Sequence, residues 1–409
     1  MISQPLHSLT MRFNRPTRSI SVVIALAVLG SSLILFGCSK QQEHQQLPSP
    51  PLLILPANYQ GTAKGEVLDR IYRTGQSKPE ILLGQNIGCA VNDRLELKQA
   101  IESVAQLNRE RKYPAIIGVD YGWGEMDLKG IRNCNRLLIE HWSRGGLVTI
   151  NFDPGNPLTG KPDPNDITPV DLSRVCESGT AENIYFSRQL KLVAAGFKEL
   201  QDAGVVVLWR PIHEPNGGWF WWCSHDPNTN RWTTPEEYRR LWHYIHREMT
   251  QTYGLNNLLW VYSPAAMAYS AIRPTDMYYP GDEYVDIIGI DLYTDSFSQD
   301  TMDAEQGFSR LRKFKKPLAI CEIGSHLHDG QFDTARCLDA VLKYCPDAKY
   351  MLFWHSWGSD LNRSRVAIVD CQNPVQLMND PRIILVSSDT SAPTTPYPLE
   401  STPVTTEVE

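Results

Sequence analysis

The chain has 409 residues, of which 42% are hydrophobic and 21% charged, and its formal net charge is −7. These are the proportions of a globular protein with room for one large domain or two ordinary ones, and they exclude a fibrous or wholly disordered chain. There is no basic stripe of the kind a nucleic-acid partner requires.

In chain order, the first element is a targeting segment. Arg12, Arg15 and Arg18 precede an apolar run over residues 20–36, which ends in Leu35-Phe36-Gly37-Cys38. Residues 1–37 read as a secretory signal peptide. Their last residues resemble a bacterial lipobox, which makes Cys38 the expected lipidation site and a membrane its expected anchor. The alternatives are a plain signal peptide, giving a secreted protein, or an uncleaved anchor helix. Residues 38–65 read as a flexible linker, rich in Gln, Pro and Ser up to Pro56. Residues 387–409, dominated by Ser, Thr, Pro and Glu, read as a disordered tail. Removing Cys38 leaves eight cysteines, an even set in an oxidising compartment, whose pairing cannot be read from spacing.

Residues 66–386 keep a uniform composition and read as one domain. Short apolar runs cover 81–86, 115–120, 147–152, 205–212, 257–263, 285–293, 318–323 and 349–355. Helical periodicity falls between them, over 94–107, 131–143, 184–203, 236–252 and 333–344, the fourth opened by Thr234-Pro235 as N-cap and first turn. Eight strands buried on both faces and alternating with helices predict an α/β fold, a (β/α)₈ TIM barrel. Gln85-Asn86-Ile87-Gly88 is no phosphate-binding turn, so an open nucleotide-binding sheet is set aside.

Such a barrel carries its chemistry at the C-terminal ends of its strands. The fourth run is Val205 to Trp222, VVVLWRPIHEPNGGWFWW. Strand alternation predicts Arg210, Ile212 and Glu214 on one face and Trp209, Pro211 and His213 on the other. Trp219, Phe220, Trp221 and Trp222 then form a wall of rings suited to the flat faces of sugars. Other strand ends bring Asp120, Asp153, Asp291, Tyr293, Glu322 and Trp354-His355. Glu214 and Glu322 stand on the fourth and seventh strands, across the mouth from each other. Glycosidic cleavage needs two such carboxyl groups, one proton donor and one carboxylate. Rings around Glu214 favour the protonated acid, while Tyr293 and Arg210 near Glu322 favour an ionised nucleophile.

The chain resembles glycoside hydrolase family 26, chiefly β-mannanases within a clan of retaining (β/α)₈ enzymes. The resemblance is carried by residues 210–214 (RPIHE), 216–222 (NGGWFWW), 279–282 (YPGD), 291–293 (DLY) and 317–324 (PLAICEIG). It implies an endo-β-mannanase (mannan endo-1,4-β-mannosidase) cleaving mannan, galactomannan or glucomannan by double displacement. Glu214 would be the acid/base, Glu322 the nucleophile, His213 the neighbour holding Glu214, Tyr293 the nucleophile's partner, and Trp219 and Trp354 sugar-stacking rings. Arg210 and Asp153 complete the expected substrate-binding set. No metal or organic cofactor is required, and the protein is expected to act as a monomer. Two positions depart from the family: Pro215 stands in place of a Met, and Asp153 in place of a His. The second is expected to place a new charge in the sugar cleft.

The remaining candidates read more plainly. His225-Asp226 and His326-Leu327-His328 lack metal-ligand spacing and read as polar loop residues. Asp120 reads as a holder of backbone or substrate hydroxyls, and Tyr121 and Trp123 as either packing residues or the lining of distant subsites. The competing functions are a β-glucanase or β-xylanase of the same family and a non-catalytic surface glycan-binding protein. Retention predicts a carboxyl separation of about 5 to 5.5 Å.

Overall fold

A computed structural model describes residues 57–226, 228–266, 272–298, 307–358 and 362–388. The expected signal peptide, Cys38, the linker up to residue 56 and the tail from residue 389 lie outside these residues. Among the described residues no helix is long and apolar enough to cross a membrane.

Eight parallel strands close on themselves: β1 (Ile81–Cys89), β2 (Ile116–Gly122), β3 (Leu147–Asp153), β4 (Val207–Pro211), β5 (Leu258–Tyr262), β6 in two pieces (Ile287–Ile288 and Asp291–Tyr293), β7 (Leu318–Gly324) and β8 (Ala348–Phe353). Each pairs with its sequence neighbour, and β8 returns to β1 through Leu82↔Tyr350 and Gln85↔Phe353. This is the predicted TIM barrel, and each expected run supplies one strand. The sixth differs in being interrupted at residues 289–290. There a side chain on Gly289 would lie 2.3 Å from Cys321 Sγ of β7.

The strands read as unbroken apolar runs because both faces are covered, by helices outside and by barrel filling inside. Trp209, on the outer face of β4, packs 5.1 Å from Phe197 of the helix Ala181–Asp202 and 4.6 Å from Trp260 of β5. The helix Pro235–Arg247 opens with the expected cap: Thr234 accepts from Glu237 N–H while the Glu237 carboxylate accepts from Thr234 N–H.

At the N-terminal end a helix spans Ala63–Arg73, across the boundary expected at residue 65, with Thr62 as N-cap accepting from Gly65 N–H. Leu68 and Ile71 of this helix are fully buried. At the other end, Ile383–Val386 pairs with β1 and with Tyr113–Pro114. Eight cysteines lie among the described residues, seven of them buried.

Candidate active site

The C-terminal strand ends open on a cleft of about 640 Å³ whose lining includes His213, Glu214, Trp219, Tyr293, Glu322 and Trp354. Both carboxyl groups thus face one space, as the sequence predicts, but the backbone gets Glu214 there by another route. β4 ends at Pro211, and Ile212 and Glu214 have positive φ of 40° and 50°. Alternation therefore stops at the strand end, and His213 and Glu214 both turn to the cleft. Positive φ is strained for a bulky residue, so the turn persists only where its surroundings over-determine it. Here they do. Tyr238 Oη donates to Ile212 O (2.9 Å), Trp222 Nε1 to His213 O (2.8 Å), and Glu214 N–H to Ser263 O (2.7 Å).

The ring wall is thinner than expected. Trp219 and Phe220 line the cleft, but Trp221 and Trp222 are fully buried and turned inward. Trp222 stacks on Phe220 (4.5 Å), which in turn packs against His213 (5.1 Å). Trp219 is more than a stacking face, because its Nε1 donates to Glu214 Oε2 at 2.6 Å.

The two carboxyl groups sit in opposed environments. Burial, reinforced by the Glu322 charge, pushes Glu214 up to about 7, against the His213 charge and the Trp219 hydrogen bond that favour its ionised form. Glu322 instead accepts from Tyr293 Oη (2.8 Å) on Oε2 and from Arg210 Nη2 on Oε1. Arg210 is shared: Nη1 donates to Asp291 Oδ2 (2.6 Å) and Nε to Asn151 Oδ1 (2.8 Å), while Ser263 Oγ donates to Asp291 Oδ1 (2.7 Å). A buried guanidinium with a carboxylate on each side fixes the position of both through charge-assisted hydrogen bonds, although burial still pushes Asp291 well above the usual carboxylate range.

Two predicted substrate contacts are corrected. Arg210 is 1% exposed and lies under the floor, where it serves Glu322 and Asp291 rather than sugar. Asp153 is 0% exposed. Its Oδ2 accepts from Trp123 Nε1 (2.9 Å) and its Oδ1 lies 2.9 Å from His213 Nδ1, so it adds no charge to the sugar surface. His213 would lose its proton readily through burial alone, but the Asp153 carboxylate overrides this and raises it to about 9. Asp120 holds no backbone group; it is fully buried, neither carboxylate oxygen has a hydrogen-bond partner, and burial raises it well above the carboxylate range. Tyr121 packs in the core, whereas Trp123 lines the cleft.

Sequence reasoning missed the opposite rim. His326 and His328, read as loop residues, line the cleft with Cys89, His355 and Trp357. His355, expected at the end of the eighth strand, has its ring nitrogen Nδ1 2.9 Å from Asn86 Oδ1. Spacing gave no signal for this rim, because loops from β1, β7 and β8 meet there only in the closed barrel. His225 stacks on Trp232 (4.4 Å), and Asp226 caps its own turn. His213, Asp291 and Glu322 offer ligand atoms within 4.8 Å of one another. Arg210 already supplies the cation there, and with Tyr293 and Ser263 it occupies the carboxylate oxygens of Glu322 and Asp291.

A sequence profile described as glycosyl hydrolase family 26 matches residues 60–381. A mannan endo-1,4-β-mannosidase of Bacillus subtilis is 37% identical over 256 residues, 60% of this chain and 68% of the relative. A second, from Bacillus subtilis strain 168, is 34% identical over 278 residues, 65% of this chain and 74% of the relative. A solved Bacillus subtilis mannanase superimposes with a TM-score of 0.65 at 27% identity, covering 78% of this chain and 91% of that one. A barrel closed around paired carboxyl groups, and a profile match spanning nearly all its described residues, lead to one statement: the chain belongs to glycosyl hydrolase family 26.

Proposed function

We propose that the protein is an endo-β-mannanase that cleaves β-1,4-mannosidic bonds in mannan, galactomannan or glucomannan with retention of configuration. The observation that carries the mechanism is the opposed setting of two glutamates in one cleft, one raised to about 7 by burial, the other hydrogen-bonded by Arg210 and Tyr293. Glu214 gives its proton to the glycosidic oxygen as Glu322 attacks the anomeric carbon, forming a glycosyl-enzyme. Glu214, now ionised, takes a proton from water, and the water oxygen displaces Glu322. Trp219 holds Glu214, the His213 charge acts on it through space, Tyr293 and Arg210 hold Glu322, and Trp354 offers its face to the sugar. The substrate class is supported by the names of the two Bacillus subtilis relatives. With Asp153 beneath the floor, its departure from the family pattern no longer argues against mannan.

The test is product analysis on galactomannan, glucomannan, mixed-linkage β-glucan and xylan, with the anomer of the first product read by proton NMR. Mannan cleavage with retention, abolished in Glu214→Ala and Glu322→Ala, is expected. Preferred cleavage of the glucan or xylan would replace the substrate, and binding without turnover would replace the enzyme with a glycan-binding protein. The reading includes export and action as a monomer at a membrane through lipidated Cys38. Radiolabelled palmitate should enter the protein and be lost in Cys38→Ala.

A further inference from the structure

Asp153 stands at a junction between two parts of the cleft. One oxygen faces His213 Nδ1 and the other accepts the indole N–H of Trp123, both at 2.9 Å. Trp123 follows β2 in the sequence Asp120-Tyr121-Gly122-Trp123-Gly124, and its backbone is held at φ 55°, an outlier for an aromatic residue. Gly122 makes the approach possible, since a side chain there would lie 2.3 Å from the carbonyl oxygen of Asp153. The ring is 37% exposed, lines the cleft, and meets Phe220 edge-on at 6.2 Å. A strained backbone, a glycine at the contact and a buried hydrogen bond together present one large apolar face to the cleft, with β1 between it and Trp354. Packing alone requires none of these features, because the ring is too exposed to contribute a full core residue.

We propose that Asp153 is a positioning residue with two tasks: it aims His213 at the glutamate pair and fixes Trp123 as a stacking platform for a further sugar of the substrate chain. One buried carboxylate then couples occupancy of that subsite to the proton donor. This rests on the glycan-cleaving reading above and deepens it. His213 is faced by Asp120 from β2, Asp153 from β3, Arg210 from β4, Asp291 from β6 and Glu322 from β7, with Glu214 beside it. Of these, Asp153 is the carboxylate against Nδ1; Nε2 points towards Glu322 Oε1 at 3.6 Å. Losing the Asp153 charge leaves burial to neutralise the imidazole, and a neutral His213 no longer favours ionised Glu214. The alkaline limb of kcat/KM should then move to higher pH.

The test uses D153N, W123F and W123A in the full chain, each checked by thermal unfolding. In ligand-free protein, the His213 ring followed by NMR should titrate at high pH in the parent and fall below neutrality in D153N. With manno-oligosaccharides of increasing length, W123A should raise KM for the longer chains by roughly 3- to 10-fold, with most of the loss in KM rather than kcat. D153N should lower kcat, shift the alkaline limb upward, and remove part of the W123A effect when the two are combined. W123F, which keeps the ring and loses the N–H, should fall between parent and W123A. An unmoved His213 titration in D153N, or an unchanged chain-length dependence in W123A, would overturn the proposal. The titration needs no substrate. A parent inactive on every mannan would therefore sink the mannanase reading while Asp153's hold on His213 was still decided.

Discussion

Glu214 is the residue on which chemistry and stability conflict. A carboxyl group raised from 4.5 to about 7 by burial destabilises the fold as pH rises. The unfolded chain releases its proton first, so stability is intact below the unfolded value and falls as pH climbs towards the folded one. The full penalty is about 3 kcal/mol. Glu214→Gln keeps the shape and cannot ionise, so it should raise Tm above the parent near about pH 8, with the gap closing by about pH 4. Equal Tm differences at both pH values would mean that Glu214 is not held neutral by the fold. Trp219 acts in the opposite direction, since its N–H stabilises the ionised form. Trp219→Phe should therefore move the alkaline limb of the pH–rate profile upward, and a downward shift would contradict that hydrogen bond's role. The residue types of this pair were legible in the sequence because acids beside rings and a buried arginine are costly to place without use. Asp153 was legible as a charge near the site, but not as one turned away from sugar: its partners Trp123 and His213 come from other strands.

At the scale of elements, the loop after β4 matters more than the strand itself. Asn216 is fully buried and ties this loop to the segment after β5. Its Nδ2 donates to Ala265 O (3.0 Å) and Arg273 O (2.9 Å), and its Oδ1 accepts from Ala265 N–H (2.8 Å). Asn216→Ala strands three buried backbone groups, which should cost about 2–4 kcal/mol. The same change should lower kcat, because Glu214 lies two residues upstream on the strained turn. A urea midpoint close to the parent's would show that the loop is held elsewhere. Asn216→Asp keeps the acceptor and loses both donors, so it should fall between the two. The strand was readable from its apolar run, but its end was not. Period-two alternation describes extended backbone only, and positive φ at Ile212 and Glu214 ended it one residue after β4. The inward turn of Trp221 and Trp222 has the same origin, since four adjacent rings on an irregular turn cannot all face one way.

Across the whole molecule, the two ends of the barrel have different tasks. The strands' C-terminal ends hold the carboxyl groups of the cleft and the strained turn after β4, while the N-terminal end is closed by packing and a few hydrogen bonds to charged groups. Eight apolar runs made the barrel legible, because strands covered on both faces leave an unambiguous pattern. The closing helix Ala63–Arg73 was not legible, since its short amphipathic stretch follows directly on a Gln- and Pro-rich segment. It belongs to the fold all the same. Lys349 Nζ of β8 donates to Thr74 O (2.8 Å), and Arg70 donates to Gly145 O (2.6 Å) just before β3. Tyr59 Oη donates to Asp286 Oδ1 (2.7 Å), whose Oδ2 accepts from Trp260 N–H (2.8 Å). A chain begun at Lys78 loses the contacts of Tyr59, Arg70 and Thr74 and uncovers Leu68's and Ile71's packing surface under the barrel, whereas one begun at Ala57 keeps them. The shorter chain should unfold at a lower temperature and bind a hydrophobic dye, and Tyr59→Phe alone should cost about 1–2 kcal/mol by leaving one oxygen of Asp286 unpaired. The active site lies at the other end, so at temperatures well below unfolding the Tyr59→Phe protein should keep the parent's KM. A changed KM with unchanged stability would mean that the two ends of the barrel are coupled, and that the helix does more than close it.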